Sequence, residues 1–222
     1  MKINIDLYNF KKNHKNNKNQ IIFHKVNCKN NKTVENLIDR FLLKQNSFIF
    51  ESVEKRRIRG RYTIIGADPD KIWEFNKNKI HLIQGNNKKL INKPPHKFLK
   101  DLIENFNFPT PKNLPSLSSL LVGYFSYDII RYIEKIPNTC LDDLKIPDVR
   151  LMRPKTIIIH DNLLKKIYFI INSYADEKIF NYSNYYNQQI YKLRSLINLS
   201  FNFRKTKNLE KITNKKILVK SN

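Results

Sequence analysis

Apolar residues along this chain recur with two periods, and the two periods separate predicted strands from predicted helices. Alternation with β-branched and aromatic enrichment predicts strands over 20–26, 47–54 and 60–66, with a buried strand over 120–126. Residues 71–75 and 79–83 alternate around Asn76-Lys77-Asn78, which predicts a hairpin. A second hairpin is predicted from 149–160 and 166–172 around Asp161-Asn162. The helical period appears at Val34, Leu37, Ile38, Phe41 and Leu42, behind Thr33 as the N-cap. It returns at Phe98, Leu99, Leu102, Ile103 and Phe106, ended by Pro109 and Pro111. It returns again at Tyr186, Ile190, Leu193 and Ile197, behind Ser183, and residues 127–133 read as a short helix. Residues 67–70 (Ala-Asp-Pro-Asp) read as a turn and 85–95 as a polar loop. About seven strands and four helices, with hairpins prominent, predict an α+β fold built mainly from antiparallel sheet.

Within that pattern the stretch Ser47–Gly66 carries the most suggestive chemistry. Two apolar runs flank a turn holding Lys55, Arg56, Arg57 and Arg59, and Glu51 and Ser52 stand together at its mouth. Alternation puts Phe48, Phe50 and Ser52 on one face and Ile49, Glu51 and Val53 on the other. A carboxylate, a hydroxyl and a nearby arginine can hold a small zwitterion. They equally describe an ordinary strand exit, with Glu51 paired to Arg59 or Arg61 across the hairpin and Ser52 bonded to local backbone.

Composition narrows the alternatives. The 222 residues are 41% hydrophobic, too apolar for general disorder. No apolar run reaches the length of a membrane span, and the opening residues lack a signal-peptide core, so a soluble cytoplasmic protein is expected. The formal charge of +23 invites a nucleic-acid-binding module as an alternative of another class. More than half of that excess, however, lies in two Asn/Lys-rich segments, 11–32 and 200–222, away from the aromatic strands a binding platform would use. Cys28 and Cys140 stand far apart without metal-ligand spacing, and free thiols are expected. The four glycines form no phosphate-cradling loop, the five histidines fall outside metal-site spacings, and no Gly-x-Ser-x-Gly elbow occurs. The residues by themselves spell out no catalytic apparatus.

Four stretches taken together resemble the N-terminal half of anthranilate synthase component I. They are Asn46–Glu54 (NSFIFESVE), Arg59–Pro69 (RGRYTIIGADP), Val122–Pro137 (VGYFSYDIIRYIEKIP) and Asp143–Met152 (DLKIPDVRLM). Their order and separations make the resemblance specific, and it spans about 19–199. Residues 1–18, polar and basic, read as a flexible N-terminus; the resemblance implies a component I N-terminal-like domain over 19–199, and a basic linker over 200–222 that leads toward a C-terminal domain absent from this chain. In the family that second domain binds chorismate and Mg²⁺ and makes anthranilate and pyruvate, so the resemblance implies no cofactor and no catalysis in this chain alone. It further implies a glutamine amidotransferase partner (component II), a C-terminal catalytic half, and L-tryptophan as feedback effector. Ser52 matches the family's tryptophan-contacting serine and Glu51 its neighbouring acid. Phe50 stands beside the indole position, and Arg61 near a second, basic contact. Aminodeoxychorismate synthase component I shares the Glu-Ser pair and is the alternative within the resemblance. Asp128 and Arg131, three residues apart, read as a helical ion pair, and Tyr124, Phe125 and Tyr127 as core or inter-domain packing.

Overall fold

The computed structural model describes residues 3–51, 60–106, 108–137, 142 and 144–202. In chain order the elements are α1 (Leu7–Lys15), β1 (Gln20–Asn27), α2 (Asn31–Leu42), β2 (Phe48–Glu51), β3 (Tyr62–Asn76), β4 (Lys79–Gln84), β5 (Asn87–Ile91), α3 (Pro95–Glu104), β6 (Val122–Phe125), β7 (Val149–Asp161), β8 (Lys166–Ser173) and α4 (Tyr182–Phe201). The strands form one antiparallel sheet in the order β1-β8-β7-β3-β4-β5. Its spine is the long pairing of β3 with β7, from Tyr62 opposite Asp161 to Phe75 opposite Val149. Each spine strand is long enough to carry two short partners end to end on its other side. β3 carries β2 and then β4, and β7 carries β8 and β6. The α+β, mainly antiparallel architecture expected from the periodicities is the one observed.

Period-two alternation gives the sheet two apolar faces, and different elements cover them. Ile65, Ala67, Ile158, Phe169 and Ile171 face α2 and α4, meeting Leu37, Phe41, Leu193 and Leu196. Ile64, Ile157, Ile159, Tyr168 and Ile170 face the other way, against Phe108, Leu114 and Leu120 of the segment after α3. Toward the far end of β3, Trp73, Phe75, Ile80, Val149 and Leu151 pack under Phe98, Leu99 and Leu102 of α3.

Several local expectations are corrected, each for an identifiable reason. Residues 1–18, expected as a flexible basic start, contain α1, whose N-cap Asp6 accepts from the Asn9 amide. Phe10 is fully buried between Tyr185 and Tyr186, with ring centroids 5.8 and 5.6 Å away. One such anchor leaves no periodic stripe, because tertiary packing rather than amphipathic pattern holds the helix. Asn30 and Asn181, not Thr33 and Ser183, cap α2 and α4. Asparagine and serine are near-equal caps, so the sequence alone does not rank them. Residues 67–70 do not turn the chain. They form a bulge inside β3, with Asp68 at φ 53° and the register shifting between Pro69 and Lys71. The polar loop 85–95 contains the edge strand β5, whose exposed lysines hide it from a hydrophobicity reading. Residues 127–132 form a 3₁₀ helix, and the expected Asp128–Arg131 pair is present at 2.8 Å. α4 runs through Phe201, and the remainder of the expected linker, 203–222, lies outside the described residues.

The bulge also gathers charge. The Asp68 carboxylate meets Lys44 at 2.7 Å, Lys192 at 2.8 Å and the Thr156 hydroxyl at 2.9 Å, joining α4 and the end of α2 to the sheet. Burial alone would raise its pKa, but the two lysines outweigh that and bring it to about 2, against an ordinary value of 3.8. A folded-state pKa below the unfolded one contributes stability that is present above pH 3.8 and lost as pH falls through 2. The contribution is about 2 kcal/mol. Urea midpoints of the wild type are therefore expected to fall steeply across that window. In Asp68→Asn, which tolerates the same backbone conformation, they start lower and change less.

Candidate functional site

β2 is an edge strand, pairing only with β3 among the described residues, from Phe48 opposite Gly66 to Glu51 opposite Thr63. The pairing is close because Gly66 has no side chain: a Cβ there would sit 2.0 Å from the Phe48 ring. Ile49 packs toward the helices, while Phe48 joins the opposite apolar cluster and meets the Phe50 ring at a tilt of 44°, ring centroids 5.0 Å apart. The alternation expected for this strand therefore holds over 48–51. Glu51 takes the Ile49 side, beside Thr63, whose partner on β7 is His160. Ser52 and the basic turn through Arg59 lie outside the described residues.

Arg61 does not pair with Glu51. Its Nε lies 3.1 Å from each Asp161 carboxylate oxygen, and its Nη2 lies 2.7 Å from Oδ2. Its guanidinium also covers the Tyr62 ring at 4.8 Å. Asp161 sits directly opposite Tyr62 on the spine and is 1% exposed. Its Oδ1 additionally accepts from the amides of Leu163 and Leu164, both at 3.0 Å. Burial works to raise the Asp161 pKa. The Arg61 hydrogen bonds and the two amides prevail and hold the carboxyl below its usual range, while the same pairing raises Arg61 above its own. Next to it, burial and the charge of Lys165 lower the pKa of His160. Sequence spacing alone offered no sign of Asp161. It lies 100 residues from Arg61, and Asp-Asn between two apolar runs reads as turn chemistry, a role it also performs.

The three candidate residues that are described, Phe50, Glu51 and Arg61, are thus distributed, not converged. Phe50, half exposed, lies on the same sheet face as Tyr62, a diagonal neighbour through Ile64, and the Arg61–Asp161 pair reaches that face. Glu51 lies on the other face. Together, Phe50, Tyr62 and Arg61 can receive a flat apolar body with an anionic end.

Elsewhere the chemistry is sparse. A cavity of about 280 Å³ between α3 and the 3₁₀ helix is lined by Phe75, Leu99, Ile103, Ile129 and Val149. Its Tyr132 hydroxyl donates to Asp148 at 2.7 Å. Tyr124, Phe125 and Tyr127, expected in packing, are 39%, 51% and 89% exposed on this chain. Among the described residues no group of three or more His, Cys, Asp or Glu is placed to hold a metal, and no helix is long and apolar enough to cross a membrane. Cys28 is a buried free thiol, and Cys140 lies outside the described residues.

Comparison with curated proteins puts this antiparallel α+β chain beside the first components of a biosynthetic synthase. It is 33% identical over 144 residues to anthranilate synthase component 1 of Acetivibrio thermocellus, covering 64% of this chain and 29% of that protein. It is 31% identical over 188 residues to anthranilate synthase component 1 of Acinetobacter calcoaceticus, covering 79% of this chain and 37% of that protein. The matches thus span about a third of the length of these relatives. No protein-family model matches the chain. A crystal structure of anthranilate synthase component I from Streptococcus pneumoniae aligns with a TM-score of 0.47 and 23% identity, over 71% of this chain and 34% of that one. The similarity to anthranilate synthase component I that the four motifs led us to expect is found.

Proposed function

We propose that this chain is the regulatory and scaffolding N-terminal portion of an anthranilate synthase component I, acting in tryptophan biosynthesis, with part of an L-tryptophan feedback site at the end of β2. The observation that supports this most directly is the pairing of similarity with geometry. In a chain similar to component 1 proteins, residues 48–51 of the Asn46–Glu54 motif form an edge strand that puts Phe50 on the sheet face of Tyr62, the ring covered by Arg61. A free amino acid presents an ammonium that a carboxylate such as Glu51 meets, and a carboxylate that a hydroxyl or a guanidinium meets. Ser52 supplies the hydroxyl, Phe50 the surface for the indole and Arg61 the cation. The opposite placement of Glu51 means that it acts at the strand's end, not from the Phe50 face. On this reading chorismate turnover and Mg²⁺ belong to a separate catalytic half, ammonia comes from a glutamine amidotransferase partner, and the protein works in the cytoplasm.

Calorimetry of the full chain with L-tryptophan tests the reading. Binding is expected, and Ser52→Ala is expected to weaken it about 10-fold or more, the value of one hydrogen bond to a charged group. No heat of binding, even with a catalytic half supplied, would remove the regulatory assignment.

A further inference from the structure

An arginine on a strand end is a poor recognition element by itself, because its long side chain must be ordered when the ligand arrives. Arg61 is ordered beforehand. Asp161 takes its Nε and Nη2 edge through three contacts of 2.7–3.1 Å and fixes the plane of the guanidinium over the Tyr62 ring. Asp161 is itself immobile, being buried and tied to the amides of Leu163 and Leu164. Among the described contacts Nη1 has no partner, and the Arg61 side chain is 35% exposed. The unused edge therefore points two N–H donors of fixed direction away from Asp161.

We propose that Asp161 is a positioning residue for ligand recognition: it holds Arg61 so that the Nη1 edge reads the carboxylate of a small aromatic acid whose ring lies against Phe50. The inference rests on the tryptophan-site reading above and adds what that site selects. Neutralised by Asp161, Arg61 exerts little long-range pull on anions. It discriminates instead by directed hydrogen bonds, which a carboxylate accepts strongly and a carboxamide weakly. The site thus distinguishes the free acid from its amide.

Calorimetry with L-tryptophan and L-tryptophanamide on the full chain separates the possibilities. The wild type is expected to prefer the acid by about 10- to 100-fold. Arg61→Gln and Asp161→Asn are each expected to reduce that preference to within about 3-fold, because acid affinity falls much further than amide affinity. Arg61→Lys, a point charge without the fork, should restore only part of it. Asp161 is buried, so melting curves accompany each variant, and the exposed Arg61→Gln carries the test should Asp161→Asn melt early. A preference that survives in Arg61→Gln overturns the proposal. So does an Asp161→Asn protein that loses acid and amide binding equally, since that marks a purely structural role. A wild type that binds both ligands equally overturns this inference and leaves the tryptophan reading standing. A wild type that binds neither, even with a catalytic half supplied, removes both.

Discussion

Gly123→Ala is expected to cost the fold about 3 kcal/mol or more, at the upper end of what overpacking does. β6 crosses β7 so closely that a Cβ on Gly123 would sit 1.8 Å from the Arg150 carbonyl oxygen and 2.9 Å from the Leu151 Cα. A clash with a side-chain tip is relieved by a rotamer change, but here the obstacle is spine backbone, paired on its other side with β3. The strand that yields is therefore β6. Its loss would release the Ser126 amide from the Asp148 carbonyl (2.7 Å) and loosen the 3₁₀ helix behind it. Trp73, the sole tryptophan, is 4% exposed in the cluster that includes Leu151, so its fluorescence reports on this end of the sheet. The expected result is a lower urea midpoint with early Trp73 exposure. An unchanged midpoint would mean that β6 does not approach β7 as described.

The same glycine shows where sequence reasoning stops. Residues 120–126 read as a buried strand from their apolar run, and β6 is there, yet Tyr124 and Phe125 are exposed. Apolar character predicts contact with something, not with this chain. The hairpin of β7 and β8 is evident, because both strands are runs rich in β-branched and aromatic residues and Asp161-Asn162 marks the turn. The continuity of β3 is not, because Asp68 and Pro69 carry turn chemistry and a bulge uses the same residues as a turn. The candidate site divides along the same line. Local alternation correctly separates Phe50 from Glu51. The partner of Arg61 is set by the spine register across 100 residues, which no local pattern encodes.

Arg153→Ala is expected to destabilise the protein by about 3–5 kcal/mol, the range for breaking a buried ion pair while leaving its partners in place. Arg153 projects from β7 with its side chain 10% exposed. Its Nε meets Asp70 at 2.9 Å and its Nη2 meets the other Asp70 oxygen. Nη1 and Nη2 meet Asp176 at 3.2 and 2.8 Å, and the guanidinium lies 3.8 Å from the Tyr174 ring centre. Burial disfavours this charge, but the two carboxylates more than compensate and raise its pKa above the ordinary arginine value. Truncation would leave Asp70, 15% exposed, facing Tyr174 and the bulge with no cation of its own, whereas Asp176 keeps Lys71 at 2.5 Å. The loss should therefore be asymmetric: Asp176→Asn costs much less than Asp70→Asn. Exposed pairs set the baseline, and Lys100→Ala, which removes a 3.8 Å contact to Glu104, should change stability by about 0.5 kcal/mol or less. Urea titrations of the four variants, followed by Trp73 fluorescence, check that order. Arg153 lies on β7 beside the bulge, where the β3 register shifts, and the Tyr62–Asp161 pairing lies beyond that shift. Loosening the bulge should then blur the register that brings Arg61 to Asp161, so Arg153→Ala should weaken L-tryptophan binding although it touches no part of the proposed site. An Arg153→Ala protein that is destabilised as expected but binds L-tryptophan as tightly as the wild type would show that the two ends of the spine are independent.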